Sequence, residues 1–233
     1  MSFWSKLFGK SLATSTTPQR SNAPSSTLAK YMSDKRSYAQ DCLHCDWVEV
    51  EDTRRWSDYP EFKRIREMAN NGQDTEALTL IDNILPKHKD HYFVYMWKII
   101  LLARLRRLPE AENTFAAGLA NCQEKYTLCS NWAEIEYEAR HLSEAVRWWI
   151  RSIVSEYSLH TPQSEGAFLY LAYVAKFLGE PASEQKLFAV VDRLTSIGRY
   201  NDEEQRQIRT LVSAQGNGAI KEAIALLCTK HLQ

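Results

Sequence analysis

The residues with the most evident chemical potential lie early in the chain, where Cys42 and Cys45 show the C-x2-C spacing that holds two corners of a zinc tetrahedron. His44 lies between them. A closed zinc site needs further ligands, and the sequence contains no second C-x2-C motif. We therefore expect these thiols to pack against the first helices, with no metal and no cofactor, and keep Cys42 and Cys45 as the candidates to test for zinc.

No motif for catalysis is found elsewhere in the sequence. It lacks a phosphate-binding glycine loop, a nucleophile elbow and an H-E-x-x-H helix. His88 and His91 stand beside Lys87 and Lys89, a pattern typical of a solvated loop. The sequence therefore predicts that the chain is not an enzyme.

Arginines recur in two groups that would form a basic stripe for phosphates or for an acidic partner. These are Arg104, Arg106, Arg107, Arg140, Arg147 and Arg151. Glutamates are interleaved with them, so a salt-linked face is favoured over a nucleic-acid surface. The whole chain has 29 Lys+Arg against 29 Asp+Glu, which is the balance of an ordinary globular protein.

The elements that must position these residues are helices. The chain of 233 residues has eight glycines and seven prolines, too few for the frequent turns of a β-sandwich or an α/β fold. The longest apolar stretch, residues 92–103, contains Lys98 and is shorter than the roughly 20 residues of a membrane-spanning helix. Five cysteines in a chain long enough to bury a core without cross-links favour a reducing compartment.

A regular repeat organises the chain from residue 57 onward. Three strings of a small residue followed by Glu and Ala begin the second helix of successive pairs, and their glutamates Glu76, Glu110 and Glu144 are evenly spaced. Their period of about 34 residues is typical of stacked helix-turn-helix units. Two further pairs follow at longer steps, with the corresponding glutamates at Glu184 and Glu222.

Local signals mark the ends of these pairs. Pro60 fits the first turn of the first helix, and Gly72 is placed to end it. Gly179 and Gly216 are predicted to end later helices in the same way. The neighbours Trp148 and Trp149 point about 100° apart on a helix, so we expect one of them to be sandwiched between units or exposed.

The sequence resembles the tetratricopeptide-repeat family over residues 57–231. The resemblance rests on the even step between the three glutamates and on Ala111, Phe115 and Gly118, which have the family's A-x3-F-x2-G spacing. It implies an all-α, right-handed α-solenoid of about five helix-turn-helix units. The family's W-x2-L-G-x2-Y pattern appears only in fragments. One unit also resembles the half-a-tetratricopeptide variant of RNA-processing factors, through Trp132, Ala133, Glu136 and Arg151.

The resemblance implies a concave groove lined by the first helix of each unit. In this sequence the groove positions are Tyr59, Phe62, Arg66, Phe93, Met96, Ile100 and Glu134. Their mixture of aromatic and charged residues differs from the Lys, Arg and Asn set with which some family members grip a peptide carboxylate. Because stacked units need extensive packing, most of the aromatic residues are expected in the core rather than in contact with a ligand.

Residues 1–33 differ in kind, with no Asp or Glu and four basic residues. We divide the chain before the solenoid into an amphipathic tip at 1–12, a flexible linker at 13–40 and a lead-in segment at 41–56. The apolar face of the tip consists of Phe3, Trp4, Leu7 and Phe8. It would dock on a lipid surface or a partner, fold back on its own domain, or form part of a cleaved organelle transit peptide.

The leading hypothesis from the sequence is a non-enzymatic adaptor that binds an extended peptide or a helix of another protein, in the cytoplasm, with peripheral membrane contact through the tip. An RNA-processing factor and an organelle-targeted assembly factor are the alternatives, and nucleic acid is the less favoured partner. The sequence sets no expectation for the oligomeric state or for the identity of the partner.

Overall fold

The computed structural model describes residues 42–43, 54–155, 165–193 and 198–232. Within these ranges the chain is helical and has no strand, which confirms the predicted all-α fold. A short 3-10 turn, Trp56–Asp58, precedes the first helix. The α-helices are α1 Pro60–Asn70, α2 Asp74–Ile84, α3 Tyr92–Arg104, α4 Leu108–Asn121, α5 Tyr126–Glu138, α6 Leu142–Val154, α7 Glu165–Leu178, α8 Pro181–Arg193, α9 Asp202–Gln215 and α10 Gly218–Lys230.

The helices pack in the order in which they occur in the chain. Each of the first four consecutive pairs, α1 with α2 through α7 with α8, packs together closely. The first helices of neighbouring pairs also lie side by side, α1 against α3 and α3 against α5. This arrangement of sequential helical pairs is that of a helical repeat solenoid.

The turn inside each of the first four pairs has a repeated backbone structure. Gly72, Arg106, Arg140 and Gly179 all have a left-handed backbone, with φ between 60° and 75°. At Arg140, its N–H donates to the Tyr137 carbonyl at 2.9 Å and the next N–H donates to Glu136 at 2.9 Å, which is a Schellman helix end. The first three positions follow one another at the same step as Glu76, Glu110 and Glu144, so the sequence period is also a period of the backbone.

The Ala111, Phe115 and Gly118 positions of α4 form a packing surface. Ala111 and Phe115 are fully buried. A Cβ at Gly118 would lie 3.0 Å from Leu128 Cδ1 on α5 and 3.2 Å from Tyr95 Cβ on α3. Glycine therefore allows α4 to approach the helices on both sides.

Both tryptophans of the Trp148-Trp149 pair are fully buried, because α6 lies between two neighbours. Trp148 meets Phe115 of α4 edge-on, with ring centroids 4.9 Å apart. Trp149 stacks on Tyr170 of α7 at 4.4 Å. Of the two outcomes expected from the sequence, packing between units is the one observed.

The last pair departs from a simple linear stack. Helix α9 packs against α7 and α6, and α10 packs against α6, α7 and α8. The Gln215 side chain at the end of α9 accepts from the Leu142 N–H at 3.0 Å and donates to the Arg140 carbonyl at 2.6 Å. The fifth pair therefore folds back onto the third, in the part of the chain where the regular sequence spacing has already been lost.

The amphipathic tip with Phe3, Trp4, Leu7 and Phe8, the linker, and Cys45 lie outside the described residues. Cys42 is fully buried in the apolar core, and Leu43 packs against that core. No helix in the described ranges is long and apolar enough to cross a membrane.

Candidate functional site

Three of the predicted groove residues are packed inside the structure. Phe62, Phe93 and Ile100 are buried, and the Phe62 and Phe93 rings stack with their centroids 5.0 Å apart. In this conformation they join α1 to α3. The two phenylalanines therefore lie in the core, as expected for most of the aromatic residues. A role for these three in partner binding stays a prediction.

The other groove residues near the first two units keep a solvent-facing surface. Tyr59 and Met96 are half-buried, and Arg66 is exposed. The Arg66 guanidinium lies 5.1 Å from the centre of the Trp56 ring, which in turn stacks on Phe93 at 5.3 Å. The residues just before α1 therefore cover part of the surface that the resemblance assigns to a groove.

The two histidines between α2 and α3 join this aromatic cluster, so the expected solvated loop is wrong for His91. Its side chain is fully buried, and its Nδ1 accepts from the Phe93 N–H at 3.2 Å, which caps the start of α3. His88 pairs with Glu61 at 3.1 Å and meets the Tyr59 ring edge-on. Both imidazoles hold α1 and α3 together.

The partly exposed residues of α5 continue this surface on the third unit. Thr127, Ser130, Asn131 and Glu138 are half-buried and recur at helical spacing. Glu134 lies on the same stripe, between Ser130 and Glu138, but only 4% of it is exposed. We call the partly exposed surface of α1, α3 and α5 the first-helix face.

Glu134 is a buried acid in an unusual position. Its Oε1 is 3.8 Å from the place that a Cβ on Gly166 of α7 would occupy, so the carboxyl lies against the first turn of α7. Its Oε2 is buried without a hydrogen-bond partner among the described residues. Burial, and to a smaller extent the charge of Glu138, raise the pKa of Glu134 well above its ordinary value.

A cluster of tyrosines lies near this carboxyl, whose charge acts on Tyr170 and Tyr200. The Tyr170 ring lies 5.1 Å from those of Tyr137 and Tyr200, and Tyr200 lies 5.2 Å from Tyr173. The Tyr170 and Tyr200 hydroxyls share a hydrogen bond. Burial raises the pKa of Tyr170 well above its usual range, and the charge of Glu134 raises it further. The cluster therefore combines one acid with neutral aromatic side chains from α5, α7 and the segment before α9.

Sequence reasoning named Glu134 but missed its tyrosine neighbours. The available signal was the pair Tyr170 and Tyr173, one helical turn apart on a first helix that follows the one carrying Glu134. Tyr200 lies in the turn before α9, and nothing in its local sequence shows that it joins the cluster. Its position depends on how the fourth and fifth pairs pack.

Three arginines of the predicted stripe are salt-linked. Arg104 pairs with Asp74 at 2.7 Å, Arg107 with Glu110 at 2.6 Å, and Arg147 with Glu144 at 3.0 Å. Arg104 also donates twice to the Ala69 carbonyl at 3.2 Å, so it ties α3 to the end of α1. These arginines act mainly within and between helical pairs.

A second group of cations lies on aromatic rings near the end of the chain. Arg209 of α9 stands 4.9 Å from the centre of the Phe177 ring, and Lys176 lies 5.7 Å from the same ring. Arg199 covers the Phe188 ring at 3.9 Å. All three cations are exposed, so this surface offers positive charge beside aromatic rings.

Metal-binding side chains are not clustered in the described ranges. No group of three or more His, Cys, Asp or Glu side chains there is arranged to hold a metal ion. Cys42, Cys122, Cys129 and Cys228 are buried, and none of these four forms a disulfide.

Comparisons with family models, with curated proteins and with solved structures find no significant match to this chain.

Proposed function

We propose that the chain is a non-enzymatic adaptor of the tetratricopeptide-repeat type, which binds a segment of another protein along its first-helix face. The observation that carries this proposal is the repeated packing of helical pairs, with a Schellman turn at each of the evenly spaced positions Gly72, Arg106 and Arg140. Such a stack presents one extended surface built from equivalent helices, which suits an extended or helical ligand.

The first-helix face has the chemistry expected of a surface for a peptide. It combines half-buried apolar side chains, Tyr59 and Met96, with polar groups at Arg66, Ser130 and Glu138. Apolar side chains provide affinity through burial, and polar groups fix the register of the ligand. The aromatic core beneath, which joins α1 to α3, would keep this surface rigid and reduce the entropy lost on binding.

The tip belongs to the same proposal. Its residues Phe3, Trp4, Leu7 and Phe8 would dock the adaptor on a lipid surface in the cytoplasm. Sedimentation of the full chain with vesicles tests this, against a variant in which Phe3, Trp4 and Phe8 are changed to serine. Equal sedimentation of the two proteins would contradict lipid docking and leave a second protein or a transit peptide as the role of the tip.

Selection of peptides from a random library with the full chain tests the main proposal. Selected peptides should lose about tenfold or more of their affinity for Ser130→Arg, which places a bulky cation on the first-helix face. The matched control Asn113→Arg lies at an exposed position of α4 and should change affinity less than about twofold. Equal effects of the two substitutions would contradict binding at this face.

An RNA-associated role is the second candidate, and the cations on Phe177 and Phe188 favour it. Arginine beside an aromatic ring is a common surface for unpaired bases. Binding of a labelled oligouridine should then fall steeply as salt is raised, and Arg209→Gln should reduce the slope. Binding that is weak at low salt and unaffected by Arg209→Gln would exclude this candidate.

A further inference from the structure

Glu134 is a charge site without a counter-charge. No described Lys, Arg or His side chain forms an ion pair with it, and one of its oxygens is buried without a hydrogen-bond partner among the described residues. A buried carboxyl in this state costs stability, because it has lost water and gained no partner. A cost of this kind is tolerated where the group serves a ligand.

The charged groups near Glu134 would not replace the missing cation. Glu138 is one turn further along α5, and the buried Glu204 lies in the first turn of α9, where it takes part in the Asn201 capping box. Arg140 acts on the neighbouring Tyr137, and Arg199 acts on Tyr173. The acids nearest the site add negative charge, so the site favours a cation from outside the chain.

The rings around Glu134 specify the kind of cation. Tyr137, Tyr170 and Tyr200 are almost fully buried, and their rings pack on one another within one cluster. Aromatic faces attract a guanidinium or an ammonium group, and a carboxylate forms a charge-assisted hydrogen bond with either. Metal ions would be a poorer match, because the cluster offers one carboxylate and neutral phenols rather than several anionic oxygens.

The place of Glu134 on α5 connects the site to the proposed peptide path. Ser130 and Glu138, one turn before and one turn after it, are both half-exposed on the first-helix face. A peptide lying across this face would pass beside Glu134. Gly166 lies against the carboxyl on the side of α7.

We propose that Glu134, with Tyr137, Tyr170 and Tyr200, is the binding site for a cationic side chain, arginine or lysine, of the protein segment that the chain binds. This proposal rests on the proposed function, since it identifies one anchor residue of the same ligand. The anchor residue sits in the third unit and enters between α5 and α7.

The test titrates the full chain with three short peptides, acetyl-Ala-Ala-X-Ala-Ala-amide, in which X is arginine, lysine or the neutral isostere citrulline. The arginine or lysine peptide should bind about tenfold or more tightly than the citrulline peptide. Glu134→Gln should remove this difference while keeping the shape of the side chain. Glu76→Gln is the control, because it removes one negative charge at an exposed position of α2, outside the first-helix face, and should keep the difference.

Calorimetry in two buffers of different ionisation enthalpy gives a second readout. Burial raises the pKa of Glu134, and a bound cation favours its ionised form. Over the pH range in which the free carboxyl is protonated, binding of the arginine peptide should therefore release a proton from the wild-type chain and none from Glu134→Gln. A merely structural role of Glu134 would produce no such release.

The possible results distinguish failure of the cation site at Glu134 from failure of peptide binding at the first-helix face. Equal affinities for the charged and citrulline peptides, or equal behaviour of the wild type and Glu134→Gln, would overturn the cation site. If library-selected peptides still lose affinity with Ser130→Arg in that case, peptide binding at the first-helix face stands and only the anchor is wrong. A preference for lysine over arginine would support the site and assign it to an ammonium group.

Discussion

Phe115 holds the second and third helical pairs together, and its replacement gives a direct measure of how strongly they are coupled. The ring is fully buried, stacks on Trp132 of α5 at 4.9 Å and meets Trp148 of α6 edge-on at the same distance. It therefore contacts both helices of the third pair. Phe115→Ala removes all of these contacts and leaves a cavity between two large indoles.

The expected loss of stability is large for a single substitution. Truncation of a buried Phe to Ala costs about 3 to 5 kcal/mol. For a chain of this size each kcal/mol lowers Tm by roughly 2 to 4 °C, which predicts a decrease of roughly 6 to 20 °C for Phe115→Ala. Phe115→Leu keeps much of the apolar volume and loses mainly the ring geometry, so its cost should be about 1 to 2 kcal/mol.

Thermal melting followed by circular dichroism measures these changes, and hydrogen exchange locates them. In a stack of coupled pairs, exchange should increase most in α4, α5 and α6, with smaller changes in α1 and α2. Asn113→Ala, at an exposed position of the same helix, is the control and should change stability by less than about 0.5 kcal/mol. A loss below about 1 kcal/mol for Phe115→Ala would refute the packing described here.

Three other predictions concern the turns and the buried acid. Gly216→Ala places a Cβ 2.5 Å from the Val212 carbonyl oxygen and should cost about 1 to 3 kcal/mol in urea unfolding, whereas Gly218→Ala, with open space around it, should be nearly neutral. Gln215→Ala removes the two hydrogen bonds that hold the last pair to the third and should lower stability by about 1 kcal/mol. Because these bonds fix the last pair, hydrogen exchange in α9 and α10 should also become faster. Burial raises the pKa of Glu134 above its unfolded value near 4.5. The contribution of this carboxyl to stability is therefore complete below pH 4.5 and is lost as the pH rises through the folded pKa. Denaturation at several pH values should show this loss in the wild type and not in Glu134→Gln.

The architecture could be predicted from the sequence because each repeat unit carries the same short sequence pattern. The small residue, Glu and Ala at the start of each second helix recur at an even step through the first three pairs, and amphipathic spacing shows where the helices lie. The matching left-handed turns were predictable only in part. Gly72 and Gly179 predict a left-handed turn, because glycine readily adopts that backbone conformation. Arg106 and Arg140 adopt the same conformation without glycine, since the packing of each pair fixes the turn.

Structural features that depend on contacts between helical pairs far apart in the chain could not be predicted from the sequence. The contact of Gln215 with the turn at Arg140 joins residues 75 positions apart, and no local signal encodes it. Trp148 and Trp149 are buried because α4 and α7 pack on different sides of α6. The sequence indicated only that two adjacent side chains point about 100° apart on a helix and so need two different packing partners.

The candidate site was predicted in part. The resemblance placed Glu134 on the first-helix face, but its burial near Gly166 and the tyrosine cluster depends on how α7 packs. The resemblance assigned Phe62, Phe93 and Ile100 to the same face. The structure buries Phe62 and Phe93 against Trp56 and the histidines before α3, and Ile100 lies in the core. Position on a helix therefore identified the surface, while tertiary packing decided which of its residues reach solvent.

The most direct test of the central claim is to map where a selected peptide lies on the full chain. A photo-crosslinking group placed at each position of the peptide in turn, followed by mass spectrometry, reports the contacted helices. We expect crosslinks on α1, α3 and α5, close to Arg66, Met96 and Ser130. Crosslinks confined to α2, α4 and α8 would contradict this expectation, because the ligand would then lie on the outer helices of the stack.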